Sequence, residues 1–146
     1  MKEFEMYDLR KLSYFLGMEF QMSKQGMVLH QRKYVKEILK RFIMDDSNPA
    51  SSPVEPNVNL EKNGEENKVD TTLFKQIVGS LGYVCNNRPD IGFVVGLVSR
   101  YMGEPRVLHM KAARRILRYL KGSINCGILF RRDSEDKEVI ANFFRC

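Results

Sequence analysis

A chain of 146 residues has the usual length of one domain and can bury a sizeable apolar core. Its hydrophobic fraction of 43% excludes an intrinsically disordered chain, and its net charge of +6 favours an anionic partner such as nucleic acid. No apolar run approaches the roughly 20 residues of a membrane helix, and the first residues lack the apolar core of a signal peptide. We therefore expect an intracellular protein, cytoplasmic or nuclear, with no membrane partner.

The first element predicted along the chain is a β-hairpin. Two short apolar runs, residues 12–22 and 27–30, flank a turn that contains Gly26. Short apolar runs around a glycine-bearing turn are typical of paired antiparallel strands. Gly17, inside the first run, indicates a bulge or a close backbone approach.

A helix is predicted from Gln31 to Ile43. Its apolar positions recur at the spacing of one helix face, at Val35, Ile38, Leu39 and Phe42. Three basic positions lie away from that face, at Lys33, Lys36 and Lys40. Asn48-Pro49 is expected to stop the helix, because the residue before a proline is pushed out of the α region.

Residues 48–69 have the composition of a linker. They contain three prolines and the polar run "EKNGEENK". From Asp45 to Asp70 there are seven acidic residues against two lysines. We expect this flexible, acidic linker to stay away from any phosphate-binding surface.

The rest of the chain predicts three helices and two strands, so the fold class is α+β. Asp70 or Thr71 is a suitable N-cap for the first of these helices, and Asp90 opens the second. Gly122 is suited to the end of the third. The expected ranges are residues 70–85, 90–102 and 107–121 for the helices, and residues 126–132 and 138–144 for the strands.

The last predicted helix, "HMKAARRILRYLKG", has two separate faces. Its apolar face consists of Ala113, Ile116, Leu117 and Leu120. Its basic face consists of Lys111, Arg114, Arg115, Arg118 and Lys121. Like charges at i,i+4 destabilise a helix by roughly 0.2–0.5 kcal/mol per pair, and a phosphate backbone would relieve that cost. The alternative is a merely solvated face.

Three other motifs favour structural interpretations. Asp45-Asp46 resembles the paired carboxylates of two-metal polymerases, but it follows a helix and leads into a linker, so we interpret it as a turn and expect no metal site. The pairs Gly79/Gly82 and Gly92/Gly96 lie inside apolar helices and indicate close helix packing rather than a phosphate loop. His109, at the start of the basic helix, either meets a phosphate or pairs within its own first turn, and we favour the second.

Several blocks carry a family resemblance in their order and spacing. They read "DLRKLSYFLGMEF", "GMVLHQRKYVKEIL", "NPASSPVEPN", "LFKQIVGSLGYVCNNRPDIGFVVGLVSRYMGEP" and "HMKAARRILRYLKGS…GILF". Together they resemble the reverse transcriptase region of copia-type retrotransposon Pol polyproteins, over residues 1–130. The resemblance implies a parent RNA-directed DNA polymerase that uses two Mg²⁺ ions.

The family's catalytic aspartates fall upstream of the block that begins at Met1. We therefore expect a fragment of palm edge, thumb and connection that is inactive by itself, with no catalytic residue and no cofactor. After "GILF" the family continues into ribonuclease H, whose first metal-binding aspartate does not occur in "KEVIANFFRC". This tail is interpreted as either frame-shifted or cut off.

The resemblance also implies roles for the residues that are present. A primer-grip-like hairpin would use Phe15, Leu16, Gly17, Met18 and Glu19. The helical block would follow the phosphates of an RNA–DNA hybrid or double-stranded nucleic acid. The candidate nucleic-acid-binding residues are Lys33, Lys36, Lys40, Arg88, Lys111, Arg114, Arg115, Arg118 and Lys121.

The implied organisation has four parts. Residues 1–47 would form the hairpin and the helix leading into the thumb, and residues 48–69 the linker. Residues 70–124 would form the thumb and connection block, and residues 125–146 the truncated start of a ribonuclease H-like region. Further partners would be the missing palm, fingers and ribonuclease H regions. The alternative is a degenerate remnant that acts only through protein contacts made by exposed aromatic residues such as Phe4, Tyr14, Phe15 and Phe20.

Overall fold

The computed structural model describes residues 14–15, 18–57, 59–60, 69–131 and 141–145, and the side chains of residues 18–57, 59–60 and 69–130. These residues form one antiparallel sheet and a helical layer, which confirms the predicted α+β class. The strands are β1 (Tyr14–Phe15), β2 (Met18–Ser23), β3 (Gly26–His30), β4 (Gly127–Arg131) and β5 (Ala141–Arg145). The helices are α1 (Arg32–Arg41), α2 (Thr71–Val84), α3 (Gly92–Ser99) and α4 (Val107–Gly122).

The sheet joins the two ends of the described chain. Its strand order is β1-β2-β3-β4-β5, and every neighbouring pair is antiparallel. The predicted turn between β2 and β3 is confirmed, and Gly26 has a φ of 146°, a conformation that glycine adopts most readily. The sequence predicts two separate hairpins, but β4 pairs with β3 from Gly26↔Arg131 to Leu29↔Ile128. The proposed bulge at Gly17 lies outside the described residues.

The helices share one apolar core. The predicted apolar face of α4 is fully buried: Ala113, Ile116, Leu117 and Leu120 each have 0% exposure. The predicted face of α1 is buried in the same cluster. Met44, just before the predicted linker, and Leu60, within it, belong to this cluster as well. Burial of these faces, at about 25 cal/mol per Å² of apolar surface, is what holds the helices together.

Two of the predicted helix starts have different outcomes. Asp70 caps α2 as predicted, because its carboxylate accepts hydrogen bonds from the backbone N–H groups of Thr72 at 2.9 Å and Leu73 at 3.2 Å. Asp90 does not cap α3. It lies in a short 3₁₀ turn, Pro89–Ile91, and α3 begins only at Gly92 and ends at Ser99.

The predicted role of the helix glycines is wrong. A Cβ built on Gly79, Gly82, Gly92 or Gly96 would meet nothing within 4 Å beyond its own helix backbone and chain neighbours. These glycines therefore face open space, and close helix packing does not explain them. None of the helices in the described part of the chain has the length and hydropathy needed to cross a membrane.

Helix α1 ends before the Asn-Pro pair that was expected to stop it. The N–H of Ile43 donates to the carbonyl of Lys40 at 3.1 Å, and the N–H of Met44 donates to that of Leu39 at 2.7 Å. This pair of bonds is a Schellman motif, which places its C′ residue in the left-handed region. Ile43 occupies that position with a φ of 57°, and its side chain is 86% exposed.

Replacing Ile43 with glycine is therefore expected to raise the free energy of unfolding by about 1 kcal/mol. A left-handed conformation costs a residue with a side chain roughly 1–2 kcal/mol, and glycine's greater unfolded-state entropy offsets part of the gain. The exposed isoleucine loses little burial. Urea unfolding measures the difference, and Ile43→Ala, which keeps the Cβ, should gain less. A destabilised glycine variant would contradict the expectation.

Candidate nucleic-acid interface

The basic face of α4 divides into two groups. Lys111 and Arg114 are exposed and have no hydrogen bond or ion pair with the described residues. Arg115, Arg118 and Lys121 are only half exposed. The difference arises because a segment of the predicted linker lies along one side of the helix. Residues 47–57 are called the strap below.

The strap contacts α4 through its backbone carbonyls. Lys121 Nζ donates to the carbonyl of Ser47 at 2.6 Å, and Arg118 Nε donates to that of Asn48 at 2.7 Å. In return, the N–H of Ala50 donates to the carbonyl of Arg118 at 3.2 Å. These bonds satisfy charged donors that would otherwise need solvent or a ligand.

Arg115 holds the next part of the strap. Its Nε donates to the carbonyl of Ser52 at 3.2 Å, and a terminal amino group donates to Ser52 Oγ at 3.1 Å. The other terminal amino group lies 3.4 Å from a carboxylate oxygen of Glu55. The composition predicted that this acidic segment stays away from any phosphate-binding surface, whereas the structure places it against the helix that is the candidate for that surface. A count of acidic side chains does not include backbone carbonyls, which make most of these contacts.

His109 contacts the chain at Leu60, just beyond the end of the strap. Its Nδ1 accepts the backbone N–H of Arg106 at 2.9 Å, so Nε2 carries the proton and donates to the carbonyl of Leu60 at 2.8 Å. The ring is buried and stacks on Tyr101 at 3.8 Å between centroids, with planes 11° apart. The preference for local structure over phosphate contact is confirmed for this histidine.

Arg88 is not on the surface, although it was a candidate phosphate contact. Its side chain is 3% exposed. Its guanidinium donates to both carboxylate oxygens of Asp90, at 3.1 and 3.0 Å, and to the carbonyl and hydroxyl of Ser123, at 2.8 and 2.7 Å. It also lies 5.7 Å from the ring centroid of Tyr119. A guanidinium enclosed in this way joins the α2–α3 turn to the end of α4 and cannot reach a duplex.

Asp90 completes this buried network. Tyr119 Oη donates to its carboxylate at 2.7 Å. Burial alone would raise the pKa of Asp90, but the hydrogen bonds from Arg88 and Tyr119 and the charge of Arg88 hold that pKa below its ordinary value of 3.8. Burial, followed by the hydrogen bond and charge of Asp90, raises the pKa of Tyr119 above 10.0. The carboxylate is therefore ionised at neutral pH.

The candidate lysines of α1 lie at the surface. Lys33, Lys36 and Lys40 are all exposed, and the apolar face of the helix packs against α2 and α4. The exposure of these three lysines is compatible with the predicted contact to an anionic partner.

The primer-grip-like residues are only partly described. Leu16 and Gly17 lie outside the described residues, and Phe15 is described as the backbone partner of Met18, which is half-buried. Glu19 has a clear structural contact: its carboxylate accepts the backbone N–H of Lys33 at 2.9 Å, in the first turn of α1. A carboxylate there satisfies an otherwise unpaired N–H and complements the helix dipole. No local sequence signal predicts this cap.

His30 lies beside the same carboxylate, with Nδ1 at 3.3 Å from Glu19 Oε2. Burial lowers the pKa of His30 below its ordinary 6.5; Glu19 acts against this shift, and Arg32 adds to it. The ring is therefore neutral at physiological pH.

Asp45 and Asp46 lie in the exposed turn after α1, as the interpretation of a turn predicts. Within the part of the chain that the structure describes, no group of three histidine, cysteine, aspartate or glutamate side chains is close enough together to hold a metal ion.

Comparison with known proteins identifies relatives over most of the chain. The retrovirus-related Pol polyprotein from transposon RE1 of Arabidopsis thaliana is 37% identical over 131 residues, which are 90% of this chain and 9% of that polyprotein. The corresponding polyprotein from transposon TNT 1-94 of Nicotiana tabacum is 36% identical over 84% of this chain and 10% of its own length. An uncharacterized mitochondrial protein of Arabidopsis thaliana is 35% identical, with 55% of its length covered.

No protein-family model and no solved structure matches the chain. The chain spans about a tenth of the length of the Pol polyproteins that it matches. The alignments to the RE1 and RE2 polyproteins each extend over 90% of this chain. The chain therefore belongs to the Pol polyproteins of retrotransposons and corresponds to one segment of them.

Proposed function

We propose that this segment binds the phosphate backbone of an RNA–DNA hybrid or of double-stranded nucleic acid, without reading its sequence. The observation that carries the proposal is the exposed pair Lys111 and Arg114, two cations in successive turns of α4 with no partner among the described residues. The resemblance to a copia-type reverse transcriptase supports the same partner. The segment would serve as the palm edge, thumb and connection of an RNA-directed DNA polymerase.

The structure changes which cations carry this proposal. Arg115, Arg118 and Lys121 already donate to the strap, so the like-charge cost along α4 is partly relieved within the molecule. Lys111 and Arg114 remain as the main contacts. Lys36 and Lys40 of α1 supply further positive charge. Arg88 is excluded because its guanidinium is buried.

Catalysis is not part of the proposed activity. By the resemblance, the metal-binding aspartates of the parent polymerase, and hence its Mg²⁺ ions, would lie outside this segment. The palm, fingers and ribonuclease H regions of the parent polyprotein would be its partners. The segment would then help to hold the duplex and would take no part in the chemical step.

Titration of a fluorescent RNA–DNA hybrid tests the proposal. If about four phosphate contacts form, the plot of log K against log salt should have a slope of about −3 to −4. The double variant Lys111→Gln/Arg114→Gln should bind about tenfold more weakly, and its slope should fall toward about −2, since each lost contact removes about 0.9. Arg115 is left intact because it holds the strap.

The matched control is Lys75→Gln/Arg100→Gln, which removes the same charge at exposed positions of α2 and the end of α3. It should retain the slope of the unmodified chain. A flat salt dependence, or equal losses in both double variants, would show that α4 is not the binding face.

A second candidate function is protein contact by a remnant of the polymerase. The observation that favours it is Phe93, whose side chain is 79% exposed on α3. Of the aromatic residues that were expected to mediate such contact, Phe20 is half-buried, and the other three side chains lie outside those described. A folded chain that self-associates and does not bind the hybrid would favour this candidate.

A further inference from the structure

A cavity of about 400 Å³ lies between the strap, α3 and α4. Its walls are aliphatic, formed by Met44, Val54, Leu60, Val94, Leu108 and Ala112. Pockets of roughly 300–1,000 Å³ with mostly apolar walls and a few placed polar groups are typical of small-molecule sites. Neither the nucleic-acid proposal nor the packing of the helices accounts for it.

The apolar walls of the cavity indicate which part of a ligand would lie inside it. None of the described residues that line the cavity has an aromatic side chain on which a nucleobase could stack. The carbonyl of Leu60 already accepts a hydrogen bond from His109 Nε2 at 2.8 Å, so it is not available to a ligand. An alkyl chain, which needs no hydrogen-bond partner, matches these walls better than a base does.

The charged residues at the mouth of the cavity indicate the charge of the ligand's polar group. Among the described residues that line the cavity, four are cations, Lys111, Arg114, Arg115 and Arg118, and one is a carboxylate, Glu55. Glu55 is paired with Arg115 at 3.4 Å, and Arg118 Nε is bound to the strap. The exposed ends of Lys111 and Arg114 are left for a negative group at the mouth. Charge-assisted hydrogen bonds to a carboxylate or phosphate are among the stronger polar contacts in proteins.

We propose that this cavity binds a free, single-chain amphiphilic anion, with its alkyl chain between the strap and α4 and its acidic head against Lys111 and Arg114. The combination of an aliphatic chamber and an unbalanced cationic rim carries the assignment. A concave site of this size holds one chain, so the occupant is a monomeric amphiphile rather than a bilayer surface. The proposal does not depend on nucleic-acid binding, and its failure would leave the hybrid titration unaffected.

Decanoate is the probe, used below its micelle concentration and followed by calorimetry on the whole chain. Saturable one-to-one binding is expected. Decanol, which has the same chain without the charge, should bind about tenfold more weakly, which corresponds to the loss of one good charge-assisted contact. Hexanoate should also bind more weakly than decanoate, because a shorter chain buries less apolar surface.

Two variants locate the site. Ala112→Phe fills the cavity and should abolish binding, whereas Gln76→Phe adds the same side chain at an exposed position of α2 and should leave it unchanged. Lys111→Gln/Arg114→Gln should reduce the affinity for decanoate to that for decanol. Both replaced side chains are exposed, so this variant remains informative even if Ala112→Phe does not fold, which circular dichroism would show.

Equal affinities for decanoate and decanol would overturn the proposal, and so would decanoate binding that the charge variant retains. Binding to anionic phospholipid vesicles that persists in Ala112→Phe, without saturable decanoate binding, would assign the anion affinity to the surface of α4 and likewise overturn the cavity as a site.

Discussion

Replacing Arg88 with alanine is expected to lower the free energy of unfolding at neutral pH by about 3–5 kcal/mol, the usual cost of removing one partner of a buried ion pair. The variant loses the bonds to Asp90 and Ser123, and it leaves the Asp90 carboxylate, 21% exposed, with Tyr119 as its remaining side-chain donor. Guanidinium chloride unfolding measures the loss.

The pH dependence provides a second readout of the same change. The pKa of Asp90 is lowered in the folded chain, so its stabilising contribution is fully present above its ordinary pKa of 3.8 and is lost as the pH falls through the lower, folded value. The penalty of Arg88→Ala should therefore be largest near neutral pH. It should shrink below about pH 4, where protonation removes the unpaired charge.

Arg100→Ala is the matched control, because Arg100 is an exposed arginine in the turn after α3. It should change the unfolding free energy by less than about 0.5 kcal/mol, as is usual for surface substitutions. If Arg88→Ala cost no more than this control, or if its penalty were the same at pH 3 and pH 7, the buried network would not have the role assigned to it.

Replacing Gly127 with alanine is expected to lower the free energy of unfolding by about 1–3 kcal/mol, the usual range for overpacking. A Cβ at this position would lie 2.5 Å from the carbonyl oxygen of Leu29 and 3.0 Å from the Cβ of His30. The oxygen belongs to the backbone of β3, which is paired on both sides and cannot move aside without disturbing the sheet. Thermal unfolding of the variant measures the effect.

Gly82→Ala makes the identical chemical change on α2, where the built Cβ meets nothing within 4 Å. This control should gain about 0.5–1 kcal/mol, because alanine loses less backbone entropy than glycine in a helix. The two variants should therefore shift the unfolding temperature in opposite directions. A stabilised Gly127→Ala variant would refute the close approach of β4 to β3.

The features that could be read from the sequence depend on residues near one another along the chain. The apolar and basic faces of α4, the hairpin turn at Gly26 and the Asp70 cap are each confirmed. Their signals are helical spacing, turn chemistry and a capping side chain next to the first turn. Each of these acts within a few residues, so one sequence is enough to find it.

The features that only the tertiary structure decided join residues that are distant in sequence. The bond from Arg88 to Ser123, the carbonyl contacts of the strap with Arg118, and the Glu19 cap on α1 are of this kind. Composition gives Arg88 and Arg118 the same charge, but whether a guanidinium meets solvent or a buried acceptor depends on how the helices pack. By itself, the sequence determined the family, the fold class and the basic face of α4. The packing of the strap decided which cations of α4 stay exposed, and the packing of the α2–α3 turn buried Arg88. The sequence could not show this, because the hydrogen-bond partners come from backbone and side chains that no local pattern specifies.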